Sequence, residues 1–478
     1  MDSPHYRRIA DTLRRALDAG ALLPGDRMIS ARRLAAREAV SLPTAVEALR
    51  LLECEGRIVA RPRSGWFVAR PSGDPPAASR SAAGPRAPTL SGIVRTLFSE
   101  PARPIVPFGA ALPDPALLPL ADLERRLQAA TRRLGAAAQT YSLPPGRLDL
   151  RRRIALAATE IGCPLAPDEI LVTSGTTEAL NLALEVTTRP GDVVAVESPV
   201  YFGTLLALER LGLRALEIAT DPETGLGVTA LRAALDTTAV AAVVVSPTVQ
   251  NPTGAIMPLA SRRELVALLA ERGIPLIEDD VWGDLADEPR PPPAKAFDRD
   301  GGVLYCSSVS KTLAPGWRVG WLAAGRWQEA ARTRRFAAAW SGSPALEAAI
   351  AAHLASGDHE RHLRRLRAAL AESRTALAAR VEASFPQGTR VSRPAAGGLL
   401  WIELPQPVDG LAVHARALAA GIGVSPGRLF STGPAFSGFI RLNAANRVDR
   451  RRLDAIDRLG AIVATLANEA EEGHGFGA

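Results

Sequence analysis

Five compact apolar runs dominate the chain from about residue 109 onward: "EILVTSG", "DVVAVESP", "AVAAVVVSP", "IPLIEDD" and "VLYCSS". Helical stretches such as "TTEALNLALEVT" and "SRRELVALLAERG" separate them. A strand that is apolar along its whole length is buried on both faces, and helices between such strands supply the crossovers. The pattern predicts a large, mostly parallel sheet covered on both sides. Ligand-binding groups are then expected beyond the carboxyl ends of its strands. A chain of 478 residues exceeds a single hydrophobic core, so two or three domains are expected.

Polar clusters fall at those strand ends. "TSGTTEAL" passes from strand into helix, where Gly175, Thr176 and Thr177 offer backbone N–H groups and a hydroxyl to a phosphate. Asn251 follows another strand in "SPTVQNPTG", and Asp279 ends a third in "IEDDVWGD". The next strand runs into "SSVSKTLAPGWRVGW", with Ser308, Ser310, Lys311 and then Arg318. Of 57 lysines and arginines, only Lys295 and Lys311 are lysines. Nearly every position that needs only positive charge is filled by arginine, so Lys311 between two hydroxyl residues requires a reason of its own.

The other end of the chain has a different character. Residues 1–70 hold 13 arginines and 8 acidic residues (+5), and residues 71–104 hold four arginines against Asp74 and Glu100 (+2). These two segments account for the whole formal charge of +7, which points to a polyanionic partner for that end. Ile9, Leu13 and Leu17 form a helical stripe in "YRRIADTLRRALDAG", and Gly20 ends it. "SARRLAARE" is a short helix with Ser30 as cap, and "VSLPTAVEALRLLECEGRI" opens a longer one at Ser41. Such a pair is the helix-turn-helix pattern. "IVARPRSGWFV" alternates as a hairpin whose tip carries Arg61, Arg63 and Gly65, a basic wing suited to a DNA backbone. "PSGDPPAASRSAAGPRAP" keeps no helical or strand period, so residues 71–104 read as a linker, with "LSGIVRTLFSE" as a short docking helix.

Residues 5–69 resemble the winged-helix domain of GntR-type bacterial regulators through "LLPGDR", "SARRLA", the "VS..TAVEALR.LE.EG" helix and the "RPRSGWFV" wing. The resemblance implies that Arg32 holds phosphate and that Ser41 and Thr44 start the recognition helix, with Arg63 and Gly65 serving the wing. Ile29 and Leu42 depart from the usual Pro and Arg; Leu42 can pack on a thymine methyl but cannot make a bidentate contact to guanine.

Residues 105–470 resemble the fold-type I pyridoxal-phosphate enzymes, and most closely the class I aminotransferases. This answers the question of Lys311: bonding to an aldehyde needs a primary amine, which arginine lacks. By resemblance, Lys311 would carry pyridoxal 5'-phosphate as a Schiff base. Ser308, Ser310, Arg318 and the 175–177 backbone would hold its phosphate, and Asp279 its ring nitrogen. Asn251 would reach the phenolic oxygen and Tyr201 the ring face. Tyr141 would reach the phosphate from a neighbouring subunit, and Arg441 in "FIRLNAA" would clamp a carboxylate by two hydrogen bonds. Trp282 departs from the tyrosine usual three residues after the aspartate, and offers only an indole N–H.

A winged helix joined to an aminotransferase-like domain is the layout of the MocR subfamily of GntR regulators. It implies three regions: a DNA-binding domain over 1–70, the linker over 71–104, and a pyridoxal-phosphate domain over 105–470 with a large sheet domain and a small α/β domain. Residues 471–478 read as a tail. It also implies a homodimer on double-stranded DNA, a sensor for pyridoxal phosphate or an amine or amino-acid-like effector, and at most a residual half-reaction. The alternative is a working aminotransferase with a retained winged helix. Cys54, Cys163 and Cys306 are too scattered for a disulfide framework, and "HLASGDHERH" places its histidines on the exposed side of a helix with no metal site. With no apolar signal core in "MDSPHYRRIA" and no run of membrane-spanning length, a cytoplasmic protein without membrane association is expected.

Overall fold

The computed structural model describes residues 5–18, 26–54, 57–61, 65–68, 75–98, 106–287 and 289–475, within two compact units, Met1–Asp74 and Pro75–Ala478.

The first unit is a three-helix winged domain: α1 (His5–Asp18), α2 (Ala31–Arg37), α3 (Leu42–Cys54) and an antiparallel hairpin of β1 (Ile58–Arg61) and β2 (Gly65–Val68). Ile9 and Leu13 of α1 meet Leu34 of α2 and Ala45, Leu49 and Leu52 of α3, with Ile58 and Val68 closing the cluster. Leu34 is fully buried, so Leu34→Ala would cost about 2–5 kcal/mol in a unit this small. Ser30 caps α2, its Oγ accepting from the Arg33 amide. Ser41 does the same for α3, accepting from the Thr44 amide at 3.3 Å. Pro43 sits inside the first turn of α3, where its missing N–H costs nothing. Glu53 ties the hairpin to α3, accepting from the Ala60 amide at 2.8 Å and the Trp66 indole at 3.4 Å.

The second unit begins with a segment that reads as a linker but is docked. Residues 79–86 run along the outer edge of β6 (named below), and α4 (Ser91–Phe98) follows, with Leu90, Ile93 and Val94 set into the main core. Sheet edges attract such cover, and backbone pairing needs no side-chain period, so a Pro-, Ala- and Ser-rich segment can do it silently.

Next come β3 (Val106–Pro107), α5 (Leu120–Leu134) and α6 (Leu148–Glu160), and then the large sheet. Its strands and helices are β4 (Leu171–Thr173), α7 (Thr176–Thr187), β5 (Val193–Ser198), α8 (Phe202–Arg210), β6 (Arg214–Asp221), β7 (Gly225–Leu226), α9 (Val228–Thr237), β8 (Ala242–Val245), α10 (Leu259–Glu271), β9 (Leu276–Asp279), β10 (Val303–Ser308) and β11 (Gly320–Ala323). The spatial order is β4-β11-β10-β9-β8-β5-β6-β7, parallel from β10 through β6 and antiparallel at β11 and β7. Every residue of β8, β9 and β10 is buried, as continuous apolar strands under two helical layers must be.

The chain continues through α11 (Gln328–Ala339), α12 (Pro344–Leu354) and the long α13 (Asp358–Ser384). The small domain adds β12 (Arg390–Val391), β13 (Leu399–Glu403), α14 (Gly410–Ala419), β14 (Ile422–Gly423), β15 (Ser425–Pro426), β16 (Phe439–Asn443) and α15 (Arg450–Gly475). Its sheet, ordered β12-β13-β16-β15, packs Leu400, Ile402, Ile440 and Leu442 against Leu377 and Val381 of α13 and Ile456, Leu459 and Val463 of α15. Phe108, just after β3, is buried in this same cluster.

Two expectations are corrected. Helix α15 runs to Gly475, into the stretch read as a tail, continuing a helix anchored by Leu466 and Ala467 on the core and by Arg416 on Glu469 at 2.6 Å. The histidines of "HLASGDHERH" are not on an exposed face: His353 and His362 are buried, because α12 and α13 pack across one another there. His353 faces Asp122 at 2.9 Å, and His362 Nε2 donates to the Thr312 carbonyl at 2.6 Å.

Candidate functional site

In the winged unit, Arg32 is exposed on α2, while Ser41, Leu42 and Thr44 open α3. Leu42 is 44% exposed, an apolar side chain left in solvent at the start of the helix expected to read DNA. Ser41 Oγ lies 2.8 Å from Thr44 Oγ1, so the two hydroxyls form one polar spot beside it. Gly65 takes φ 99, the left-handed region, at the return of the hairpin. Arg63 and the side chain of Arg61 lie outside the described residues.

In the second unit the strand-end residues converge. Lys311 follows β10 in a single turn of 3-10 helix, where Ser308 Oγ accepts from the Ser310 amide. Its Nζ donates to the Ala111 carbonyl at 2.7 Å and lies 5.1 Å from the centre of the Trp282 ring. Burial pushes the amine down to about 8, with the Arg441 charge adding to the effect and Asp279 opposing it. Asp279 ends β9, buried, with one oxygen accepting from the Val281 amide at 3.3 Å. Burial lifts its carboxyl to about 6, and neighbouring Asp280 adds to this. Strand alternation sends Asp280 the other way, to Arg290 and the Tyr305 hydroxyl.

Arg441 on β16 is 1% exposed and bonded, among the described residues, only to neutral acceptors: Asn251 Oδ1 at 3.1 Å, Ser425 Oγ at 3.1 Å and the Gly109 carbonyl. Its Nε has no hydrogen-bond partner among the described residues, and burial pulls the guanidinium down to about 10. Its carbon lies 5.1 Å from the Phe430 ring centre. Tyr201 starts α8, and burial raises its phenol, with Asp279 adding and Arg441 and Arg318 opposing. These mutual influences place Lys311, Asp279, Tyr201, Arg441 and Arg318 in one neighbourhood.

The mouth of α7 completes it. Gly175 adopts φ 84, and a Cβ there would collide with the Arg318 guanidinium, which donates to the Ser174 carbonyl at 2.9 Å. Arg318 is itself left-handed, at φ 52. Thr176 is buried with Oγ1 unpartnered among the described residues, and Thr177 is exposed beside it. Tyr141 lies on the outside: its ring is 71% exposed and packs on Trp340 with centroids 5.7 Å apart.

Comparison with known proteins accords with this geometry. Residues 117–459 match the family of class I and II aminotransferases, and residues 5–68 match the bacterial regulatory proteins of the gntR family. The uncharacterized HTH-type transcriptional regulator YdcR of Escherichia coli K12 is 38% identical over 470 residues, covering 96% of this chain and 98% of the relative. A second regulator of that strain, YjiR, is 34% identical over 96% of this chain and 98% of its own length. This chain belongs to the MocR-type regulators.

Among solved structures, the α-aminoadipate aminotransferase LysN of Thermus thermophilus, complexed with N-(5'-phosphopyridoxyl)-L-leucine, superposes with a TM-score of 0.72. It is 29% identical and covers 78% of this chain and 95% of its own. The MocR-type chain thus has the architecture of a pyridoxal-phosphate domain, and its own residues fit that group. Thr176 leaves a buried hydroxyl to satisfy, Gly175 leaves room where a Cβ would collide, and the first N–H groups of α7 favour an anion. Trp282, by contrast, is 2% exposed with its Nε1 unpartnered among the described residues, so no hydroxyl stands where a tyrosine would supply one.

Sequence reasoning missed the Ala111 and Gly109 carbonyls, Ser425 and Phe430. Backbone carbonyls carry no side-chain identity, and Ser425 and Phe430 lie far from the strand-end motifs. The second lysine proves structural: Lys295 Nζ is buried between Asp298 at 2.8 Å and the Val303 carbonyl at 2.7 Å.

Proposed function

We propose that this transcriptional regulator binds paired DNA sites as a homodimer and senses a carboxylate-bearing amine through pyridoxal 5'-phosphate held on Lys311. One observation carries the effector class: Arg441 is a fully buried guanidinium bonded, among the described residues, only to neutral groups, with its Nε unpartnered. A buried charge without a counter-charge is costly, and a ligand carboxylate is the group that relieves it.

Pyridoxal phosphate supplies an aldehyde for amines to bond to and a ring that draws electrons when its nitrogen is protonated. Lys311 is the amine that holds it, kept partly neutral near physiological pH by its surroundings. Asp279, poised near 6, can accept a proton or hold one at the ring nitrogen. Asn251 shares its Oδ1 with Arg441, so a group that engages the arginine also frees or reorients the amide. Ser308, Ser310, Arg318 and the start of α7 hold phosphate. Trp282 gives no proton-bearing hydroxyl to the cluster, which supports holding an effector over turning it over. In the winged unit, Arg32 meets the backbone and the start of α3 meets bases.

The test is a selection of genomic fragments by the full-length protein with and without pyridoxal phosphate. Discrete sites whose affinity shifts with the cofactor are expected. Sequence-indifferent, salt-sensitive binding under both conditions would overturn the proposal and move weight to an aminotransferase, assayed directly with amino donors.

A further inference from the structure

We infer that the docked segment 75–98 acts as a strap that shortens the tether of the DNA-binding unit and so determines which half-site spacings the protein accepts. The inference rests on the DNA-binding reading above and adds the geometry of the operator to it.

The strap is built. The Ser79 amide donates to the Thr220 carbonyl at 3.1 Å, and the Thr220 amide returns a bond to Ser79 Oγ at 2.8 Å. The Ala219 amide donates to Ser81 Oγ at 2.9 Å, and the Ala82 amide to the Glu217 carbonyl at 2.9 Å. Arg86 and Ala215 exchange both backbone bonds at 2.8 Å, the mark of a paired strand. Beyond it, Glu209 on α8 accepts from the Leu90 amide, the Ser91 amide and Ser91 Oγ, at 2.9, 2.9 and 2.6 Å. That is an anion at the N-terminus of α4, where helix geometry favours one. Burial works against the Glu209 charge, yet these bonds hold its carboxyl below the usual range. Leu90 is 2% exposed, so the segment is fastened by burial as well as by pairing.

The consequence is metric. From Val68 at the end of β2 to Ser79 the chain has about 11 residue steps and reaches at most about 40 Å. Freed as far as Val106, it would have about 38 steps and reach about 130 Å. For a pair of tethered units, effective concentration at the second half-site falls with roughly the −3/2 power of tether length, so release lowers it about sixfold at the best spacing. A short tether therefore rejects spacings that a free linker of the same sequence would accept.

Full-length protein would be titrated against duplexes carrying two copies of the selected half-site, with spacings stepped by one helical turn. Two variants accompany it: one with about 27 Gly and Ser residues inserted after Asp74, a length chosen to match the freed tether and leave the strap intact, and the triple variant Glu209→Ala, Ala82→Pro, Arg86→Pro, which removes the cap and the Ala82 and Arg86 backbone donors. A narrow window is expected for the parent. Both variants should accept sites at least one further turn apart and bind the best site about sixfold more weakly. An unchanged window in the insertion variant overturns the inference, and so does hydrogen exchange at residues 79–94 of the parent as fast as in an unfolded chain. If the triple variant fails to fold, the insertion variant decides. A parent that selects no DNA site at all would instead sink the DNA-binding reading, so the two failures are distinct.

Discussion

Lys295 and Lys311 flank the same strand, β10, yet their surroundings have opposite purposes. Lys295 lies between a carboxylate and a carbonyl, and Asp298, despite burial, is held below the usual carboxylate range chiefly by bonding to it. Among the described residues Lys311 has no carboxylate at bonding distance and bonds to the Ala111 carbonyl, and its neighbours include two arginines. One site stabilises a cation and uses it for structure. The other withholds stabilisation and keeps the amine close to neutrality. In a chain that uses arginine for nearly every plain charge, both retained lysines do something arginine does badly: Lys295 presents a compact charge in a tight buried space, and Lys311 can give up its proton.

The sharpest break between them is covalent. Lys311→Arg keeps the charge and should lose all borohydride-fixed pyridoxal phosphate, whereas Lys295→Arg should keep it; peptide mass spectrometry reads both. An adduct that persists in Lys311→Arg would falsify the assignment. Stability should invert the order. Lys295→Ala strands buried Asp298 and should cost about 3 kcal/mol in urea unfolding, while Lys311→Ala removes a poorly stabilised cation and should cost little. Acidity separates them next. Below about pH 8 the Lys311 amine is protonated and unreactive, so capture of cofactor should accelerate as pH rises through about 8 and level off above it. Arg441→Gln removes a charge that depresses the amine, so the same profile should move to higher pH; no movement would show that the Arg441 charge does not contribute. The smallest effect tests what plain charge means here. Arg32→Lys should bind DNA nearly as well as the parent, while Arg32→Ala should flatten the slope of log affinity against log salt by about 1.

What could be read in advance followed from where identity resides. β5, β8, β9 and β10 were legible because burial on both faces leaves no room for polar residues, and the site residues were legible because they end those strands. β6 and β11 were not singled out. "RALEIATD" carries Arg214, Glu217 and Asp221, and Glu217 is buried only because Ser198, Ser431 and Thr432 bond its carboxylate. "GWLA" follows directly on the Lys311–Arg318 motif, and its antiparallel pairing with β4 joins it to a strand far away in sequence. The burial of His353 and His362 escaped notice because their partners, Asp122 on α5 and the Thr312 carbonyl, are distant in the chain. The same holds for the strap: its bonds are made by backbone and by small serine hydroxyls, and the residues they meet lie more than a hundred positions downstream.

Among the described residues, the hydrogen bonds that dock the strap begin at Ser79. Insertions or deletions between the wing and that point change reach without disturbing Lys311, Asp279 or Arg441. Operator geometry and effector chemistry can therefore drift independently in evolution, one by small changes in chain length, the other by substitutions around a buried guanidinium. A duplicated copy of such a gene could move to new promoters before altering what it senses.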